Sequence, residues 1–314
     1  MDRVSQLEQS LRARMPALDL RAEEPMSRHT AFRIGGPARL MALPKTASEL
    51  SELCKWAAEQ GIAPYFMGNG SNLLVADQGL SALVVKTCDG LSRLSITDDG
   101  LLFAESGALL SKAAQFAKQQ GLSGLEFAHG IPGTVGGAIT MNAGAYGGEM
   151  KDVVWKTAFC HAATGEPGVL EGADHGFVYR GSAFSNGGRV ITGVYFRLTP
   201  DDPAEIAARM EDLARRRRES QPLDLPSAGS TFRRPEGHYA AALIDRAGLK
   251  GLQVGGAQVS PKHAGFVVNV GGATCADVLA LIGQIKTRVK QMFDVELELE
   301  VKVWGADVPG GALA

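Results

Sequence analysis

Apolar residues along the chain recur at two spacings. Between residues 47 and 60, Leu50, Leu53, Cys54, Ala57 and Ala58 return at helical spacing and Gly61 supplies a stop, which predicts a helix. The same reading gives helices at 109–120, where Leu110, Ala113, Ala114 and Ala117 share a face, and at 203–220, with Ile206, Met210 and Leu213. Two more are expected at 240–247 and 276–292. Short apolar runs predict strands at 62–67, 82–87, 101–105, 190–198, 265–270 and 295–303. The last alternates, with Val295, Leu297, Leu299, Val301 and Val303 on one face and Glu296, Glu298, Glu300 and Lys302 on the other. No internal repeat is visible, and the fold class is α+β.

One stretch breaks both periodicities. Residues 121–150 are too rich in glycine for a regular element and too apolar for a disordered linker, so a buried functional loop is expected. Residues 221–226 carry prolines and read as a linker into a further region.

Composition narrows the class. At 314 residues, 45% hydrophobic and 21% charged, the chain can bury a large core without staples. A formal charge of -2 supplies no overall field for nucleic acid or an acidic membrane. The N-terminal residues alternate charge with single apolar positions and lack the apolar core of a secretory signal. No segment approaches the roughly 18 apolar residues that a bilayer span needs. Cys54, Cys88, Cys160 and Cys275 are far apart and without histidines at ligand spacing, so structural thiols in a reducing cytoplasm, and no metal, are expected.

Candidate chemistry sits in the glycine-rich segments. Gly68-Asn69-Gly70-Ser71-Asn72 follows an apolar strand. Its N–H groups with Ser71 and Asn72 could cradle a pyrophosphate, although these five residues alone favour a tight strand-to-strand turn. No helix opens after it in Rossmann fashion. The block from His129 to Ala138, followed by Met141 to Gly147, brings much bare backbone to one place, as a large planar or phosphate-bearing ligand requires. Arg180, Ser230 and Glu300 each have an ordinary alternative: a surface arginine, a loop serine, one glutamate on a polar strand face. Periodicity does not separate Glu300 from Glu298. The run Arg215 to Arg218 is expected to be a solvated last helical turn, and no aromatic interleaving supports nucleic-acid binding. Lys262 and His263 could meet an anionic substrate, or His263 could be structural.

In their order these segments resemble the MurB family of UDP-N-acetylenolpyruvoylglucosamine reductases. The resemblance runs from about His29 to Gly305 and rests on Thr30-Ala31-Phe32-Arg33-Ile34-Gly35-Gly36-Pro37-Ala38, the GNGSNLL run, the HGIPGTVGGA to NAGAYG block, YRGSAF, AGSTF and LELEV. It implies an FAD-binding fold of the vanillyl-alcohol-oxidase (PCMH) type. Two α/β subdomains, residues 1–88 with an N-terminal helix and 89–220, would hold the flavin. A substrate-binding domain at 221–305 and a flexible tail at 306–314 would follow. The flavin contacts implied are Arg33, Gly68, Asn69, Gly70, Ser71, Asn72, Ile131, Pro132, Gly133, Thr134, Gly136, Gly137, Asn142, Gly144, Ala145 and Tyr146. Gly35-Gly36-Pro37-Ala38 offers no histidine, so FAD is expected to be noncovalent.

The resemblance places Arg180, Ser230 and Glu300 on the family's catalytic positions. It implies NADPH as co-substrate and an enolpyruvyl UDP-sugar as substrate, reduced in peptidoglycan precursor synthesis by a cytoplasmic monomer. Arg180 and a protonated Glu300 would support the enolate that hydride addition creates, and Ser230 would protonate it. The short interval from Arg180 to Ser230 resembles the branch without an inserted substrate loop. Tyr179, Arg233, Arg234, Lys262 and His263 are the expected substrate contacts. An oxidase of the same fold and a non-catalytic flavin-binding protein are the competing readings.

Overall fold

The structure, a computed structural model, describes residues 3–88 and 90–306, so most of the expected tail lies outside the described residues. The chain divides into two compact units built from non-consecutive segments. The first comprises residues 1–22, 40–69 and 82–217, and the second residues 23–39, 70–81 and 218–314.

The first unit packs helices against two sheets. A four-stranded sheet runs in the order Asp19–Pro25, Pro37–Leu43, Leu80–Lys86, Tyr65–Met67, its last pair parallel. Helix Ala47–Glu59 starts where Thr46 Oγ1 accepts the Glu49 N–H at 3.1 Å, and it buries Leu50, Leu53, Cys54, Trp56 and Ala57. An antiparallel five-stranded sheet follows in the order Pro167–Glu171, Val154–His161, Arg189–Phe196, Leu102–Glu105, Leu94–Ile96. Its core joins Leu102, Ala104, Val194 and Phe196 to Leu110, Ala113 and Ala117 of helix Leu110–Gln119, and to Ile206 and Met210 of helix Pro203–Ser220. The glycine-dense block is not loop throughout. Val135–Thr140 is a helix, because Thr134 caps it and its glycines let it pack closely on residue 106.

The second unit holds an antiparallel sheet in the order Ser227–Ser230, Phe266–Asn269, Ala257–Val259, Gln253–Val254. Helices Ala240–Arg246 and Cys275–Phe293 bury Leu243, Ile244, Val278, Ile282 and Ile285 in a core shared with Phe32, Ile34 and Leu74. Thr274 and Asp277 form a capping box on the longer helix, and the Asp77 carboxylate accepts from Cys275 and Ala276 N–H at 2.7 and 3.0 Å. The expected closing strand at 295–303 is shorter than alternation suggests. Only Lys302–Trp304 is regular strand, parallel to Leu73–Val75, and Leu299 makes an isolated bridge to Phe232. The alternation itself holds, since Leu297 and Val301 are buried.

All four cysteines are free and buried. Cys54 and Cys160 bring their Sγ atoms to 3.9 Å, and burial pushes the Cys275 thiol up to about 12. Among the described residues no helix is long and apolar enough to cross a membrane, and no cluster of His, Cys, Asp and Glu could hold a metal ion.

Candidate active site

Among the described residues, six non-glycine residues have positive φ: Glu23, Arg33, Asn142, Tyr146, Arg180 and Asp294. Four of these are expected site residues, and Asp294 ends a helix. Such backbone is costly for a residue with a Cβ and persists where the surroundings enforce it.

Local pairing explains three of them in the first unit. Gly144 pairs with Glu149 and Ala145 with Gly148, leaving Tyr146 and Gly147 as a two-residue hairpin turn with φ of 54° and 91°. A primed turn needs positive φ at both places, normally met by Asn-Gly. Tyr146 occupies the first place and stands 46% exposed. Val178 and Gly181 exchange backbone hydrogen bonds of 3.0 and 3.2 Å around Tyr179 and Arg180. Arg180, at φ 56°, takes the turn position that usually requires glycine, and its guanidinium lies 5.7 Å from the Tyr179 ring centroid. Asn142 joins the two turns: its Nδ2 donates to Glu149 Oε2 at 2.9 Å and to Val178 O at 3.3 Å, and its Oδ1 accepts from Lys151 N–H. The Glu149 carboxyl is held below its usual range by Lys151 first, and also by Asn142 and the charge of Arg180.

The glycine loops converge within each unit. In the first, a Cβ on Gly68 would collide with Thr134 Oγ1, so the strand-to-loop junction and the capped helix Val135–Thr140 meet without a side chain between them. Gly136 N–H donates to Ser106 O at 2.8 Å, and Ser106 Oγ is buried with no hydrogen-bond partner. His129 Nδ1 is likewise buried and unsatisfied. In the second unit Gly70 is pressed against the His29 carbonyl, and its own carbonyl accepts from Ala31 N–H. Arg33 follows in the same segment.

The segments that carry Ser230 and Glu300 pair through their backbones in the second unit. Glu300 N–H donates to Thr231 O at 2.9 Å, Arg233 N–H donates to Glu298 O at 2.9 Å, and Phe232 bridges Leu299 between them. The register of strand Ser227–Ser230 shifts just before Ser230, at Gly229 with φ 76°. A bulge of this kind re-aims the side chain that follows it. Asn72 Nδ2 donates to Glu300 O at 3.1 Å, and Lys302 N–H donates to Asn72 O, so the GNGSN segment is tied to the same strand. Burial now separates the glutamates that alternation left equal. The side chains of Glu296 and Glu298 are 81% and 76% exposed, whereas Glu300 is half-buried.

Of the expected substrate contacts in this unit, the Arg234 guanidinium stacks 4.0 Å from the Tyr239 ring centroid. Lys262 Nζ donates to Arg218 O at 2.5 Å. His263 Nδ1 accepts from Gly265 N–H, and burial lowers its pKa, so this ring has a structural partner in its own turn.

The arginine run departs from its expected solvated turn. Arg215 and Arg216 are exposed and pair with Asp212, each at 2.6 Å. Arg217 turns inward: its Nε is buried without a hydrogen-bond partner, and a Cβ at Gly130 would lie 2.9 Å from its Cδ. The signal was present in the sequence. Ile206, Met210, Leu213 and Arg217 follow at intervals of helical periodicity, so Arg217 extends the apolar stripe.

Comparison with known proteins bears on this geometry. Residues 221–304 match the family model for the UDP-N-acetylenolpyruvoylglucosamine reductase C-terminal domain, and residues 38–189 match that of an FAD binding domain. The UDP-N-acetylenolpyruvoylglucosamine reductase of Syntrophomonas wolfei is 44% identical over 293 residues, spanning 93% of this chain and 97% of the relative. That of Alkaliphilus oremlandii is 48% identical over 285 residues, spanning 91% and 93%. The crystal structure of MurB from Thermus caldophilus matches with a TM-score of 0.78 at 36% identity, covering 91% of this chain and 98% of that one.

Proposed function

Because this chain belongs to the UDP-N-acetylenolpyruvoylglucosamine reductase (MurB) family, we propose that it reduces the enolpyruvyl group of UDP-N-acetylglucosamine enolpyruvate with NADPH, through noncovalent FAD. The residues present fit a flavin dinucleotide. Close-packed glycine backbone at Gly68 and Gly136 keeps side chains out of the junction, and Ser106 Oγ and His129 Nδ1 are polar atoms still lacking a partner. Bound FAD supplies hydride transfer, from NADPH to the vinyl carbon of the substrate.

The protein's own part is to stabilise and quench the charge left beside the carboxylate. Arg180 offers fixed positive charge from a constrained turn. Glu300, half-buried, can donate a hydrogen bond if it is held protonated, and Ser230 delivers the proton to carbon. The observation that carries this reading is the pairing of the Ser230 segment with the Glu300 segment through the Glu300 N–H to Thr231 O bond. The two groups best suited to the proton step thus come from adjacent extended backbones. Arg233 and Arg234 follow Ser230 as cations for the substrate's diphosphate or carboxylate.

The two half-reactions separate the roles. Under nitrogen, Ser230→Ala should be reduced by NADPH at the wild-type rate and reoxidised by the enolpyruvyl substrate about 10²- to 10⁴-fold more slowly. Equal loss in both halves would overturn the proton-donor role. Flavin reduction by simple alcohols, with none by NADPH, would point instead to an oxidase.

A further inference from the structure

Arg217 is a half-buried cation, its Nε fully buried, with no counter-charge among the described residues. Its guanidinium makes no ion pair and no hydrogen bond among the described residues, while Arg215 and Arg216 of the same turn both hold Asp212. Burial lowers its pKa, and Tyr146 is the ionisable group that acts in the opposite direction. Partial burial of a guanidinium is unfavourable unless the buried N–H is paired. Nothing in helix packing calls for it, since an apolar side chain would continue the Ile206 and Met210 stripe. Gly130 leaves room for it: the ideal Cβ position there is 2.9 Å from Arg217 Cδ and 3.5 Å from Nη1.

Two features indicate what completes this site. Its neighbours Gly130 and Tyr146 belong to the two glycine-rich segments that bare backbone toward a ligand. Tyr146 also sits on the hairpin that Asn142 ties to the Arg180 turn, whereas Gly68, Thr134 and Ser106 form a separate junction suited to phosphates. Arg217 therefore lies with the Arg180 side of the unit. We infer that Arg217 is a flavin-binding residue that donates to the acceptor edge of the isoalloxazine pyrimidine, its N1 and C2 carbonyl, and favours the reduced ring by its charge. A flavin that has accepted a hydride, two electrons and one proton, would carry one negative charge, which a fixed cation at that edge would stabilise. This assignment rests on the flavoprotein reading above.

Flavin-free wild type, Arg217→Gln and Arg217→Lys should be titrated with FAD and with riboflavin, following quenching of flavin fluorescence. The redox potential of each FAD-loaded protein should be measured against a reference dye. A charge-assisted hydrogen bond predicts about tenfold or greater weakening by Arg217→Gln. The same factor is expected for FAD and riboflavin, with a lower potential for bound FAD. Arg217→Lys should recover much of the potential but less of the affinity, because it keeps the charge without the planar fork. Wild-type affinity and potential in Arg217→Gln would overturn the inference. So would a loss confined to FAD, which would assign Arg217 to the phosphates. Circular dichroism of the flavin-free proteins checks folding. If only Arg217→Lys folds, it must weaken both flavins equally. A wild type that binds no flavin would instead sink the flavoprotein reading.

Discussion

In the first unit, Asn142, Tyr146 and Arg180 stand in left-handed backbone at turns, with Ser106 Oγ, His129 Nδ1 and Arg217 Nε buried and unsatisfied nearby in the chain or packing. In the second, Ser230 and Glu300 lie on segments joined by ordinary backbone hydrogen bonds, and Asn72, in the turn before strand Leu73–Val75, adds a further grip on the Glu300 carbonyl. The contrast teaches what each region still needs. The first carries strain and open hydrogen-bonding capacity that a ligand can meet. The second has already spent its backbone capacity on alignment, so its two segments are held in register before any ligand arrives.

The sharpest test of that contrast lies in the second unit. Glu300→Gln should slow reoxidation by the enolpyruvyl substrate about 10²-fold, the scale for removing one donor to a developing oxyanion or its charge partner. Glu298→Gln, on the exposed side chain of the same segment, should leave the rate unchanged in the same stopped-flow measurement. Similar losses in both would erase the distinction drawn from burial.

Smaller effects concern the close packing of the glycine junctions. Gly68→Ala places a methyl group against Thr134 and should destabilise the protein by about 1–3 kcal/mol in urea titration, with weaker FAD binding. In the second unit nothing lies within 4 Å of a Cβ at Gly283, inside helix Cys275–Phe293. Gly283→Ala should therefore raise stability by roughly 0.5–1 kcal/mol. Equal signs for the two substitutions would remove the case that Gly68 is required by contact.

The smallest expected effect is a pH dependence in the first unit. His175 is buried, its Nε2 paired with Thr157 Oγ1 at 2.9 Å and its Nδ1 with Gly172 O at 3.0 Å, and burial lowers its pKa. The unfolded chain takes up a proton near pH 6.5, about the ordinary histidine value, while the folded one resists it. The stabilisation is thus complete above that pH, falls as the pH drops toward the lowered folded value, and changes no further below it. Thermal midpoints at pH 7.5 and 5.5 should show a larger drop in wild type than in His175→Gln. An equal drop would remove His175 from the pH response.

Much of this was readable in the chain. Periodicity placed helix Pro203–Ser220 and the buried face of helix Ala47–Glu59, because a single packed stripe leaves its spacing in the sequence. The motifs marked Asn142, Tyr146 and Arg180 before their backbone was visible. What escaped depended on contacts between distant residues. A row of four arginines looks uniformly solvated until the stripe through Ile206 and Met210 is carried one turn further. The helix Val135–Thr140 hides in glycines, whose low propensity is overridden by the Thr134 cap and tight packing. Alternation cannot rank Glu300 over Glu298, because the residues that hold the Glu300 backbone, Thr231 and Asn72, lie about 70 and 230 residues away.

The discontinuous make-up of the second unit has a consequence for the chain on the ribosome. Phe32, Ile34 and Leu74 bury themselves in a core completed by Ile282, Ile285 and Val289, and Asp77 caps a helix that begins at Cys275. At typical elongation rates some 200 residues separate these partners by roughly 10–40 s. For that interval the early segments emerge with their apolar side chains and a helix-capping carboxylate in hand but no helix to receive them. Nascent-chain chaperones have their longest opportunity to engage this protein there, at residues 23–39 and 70–81.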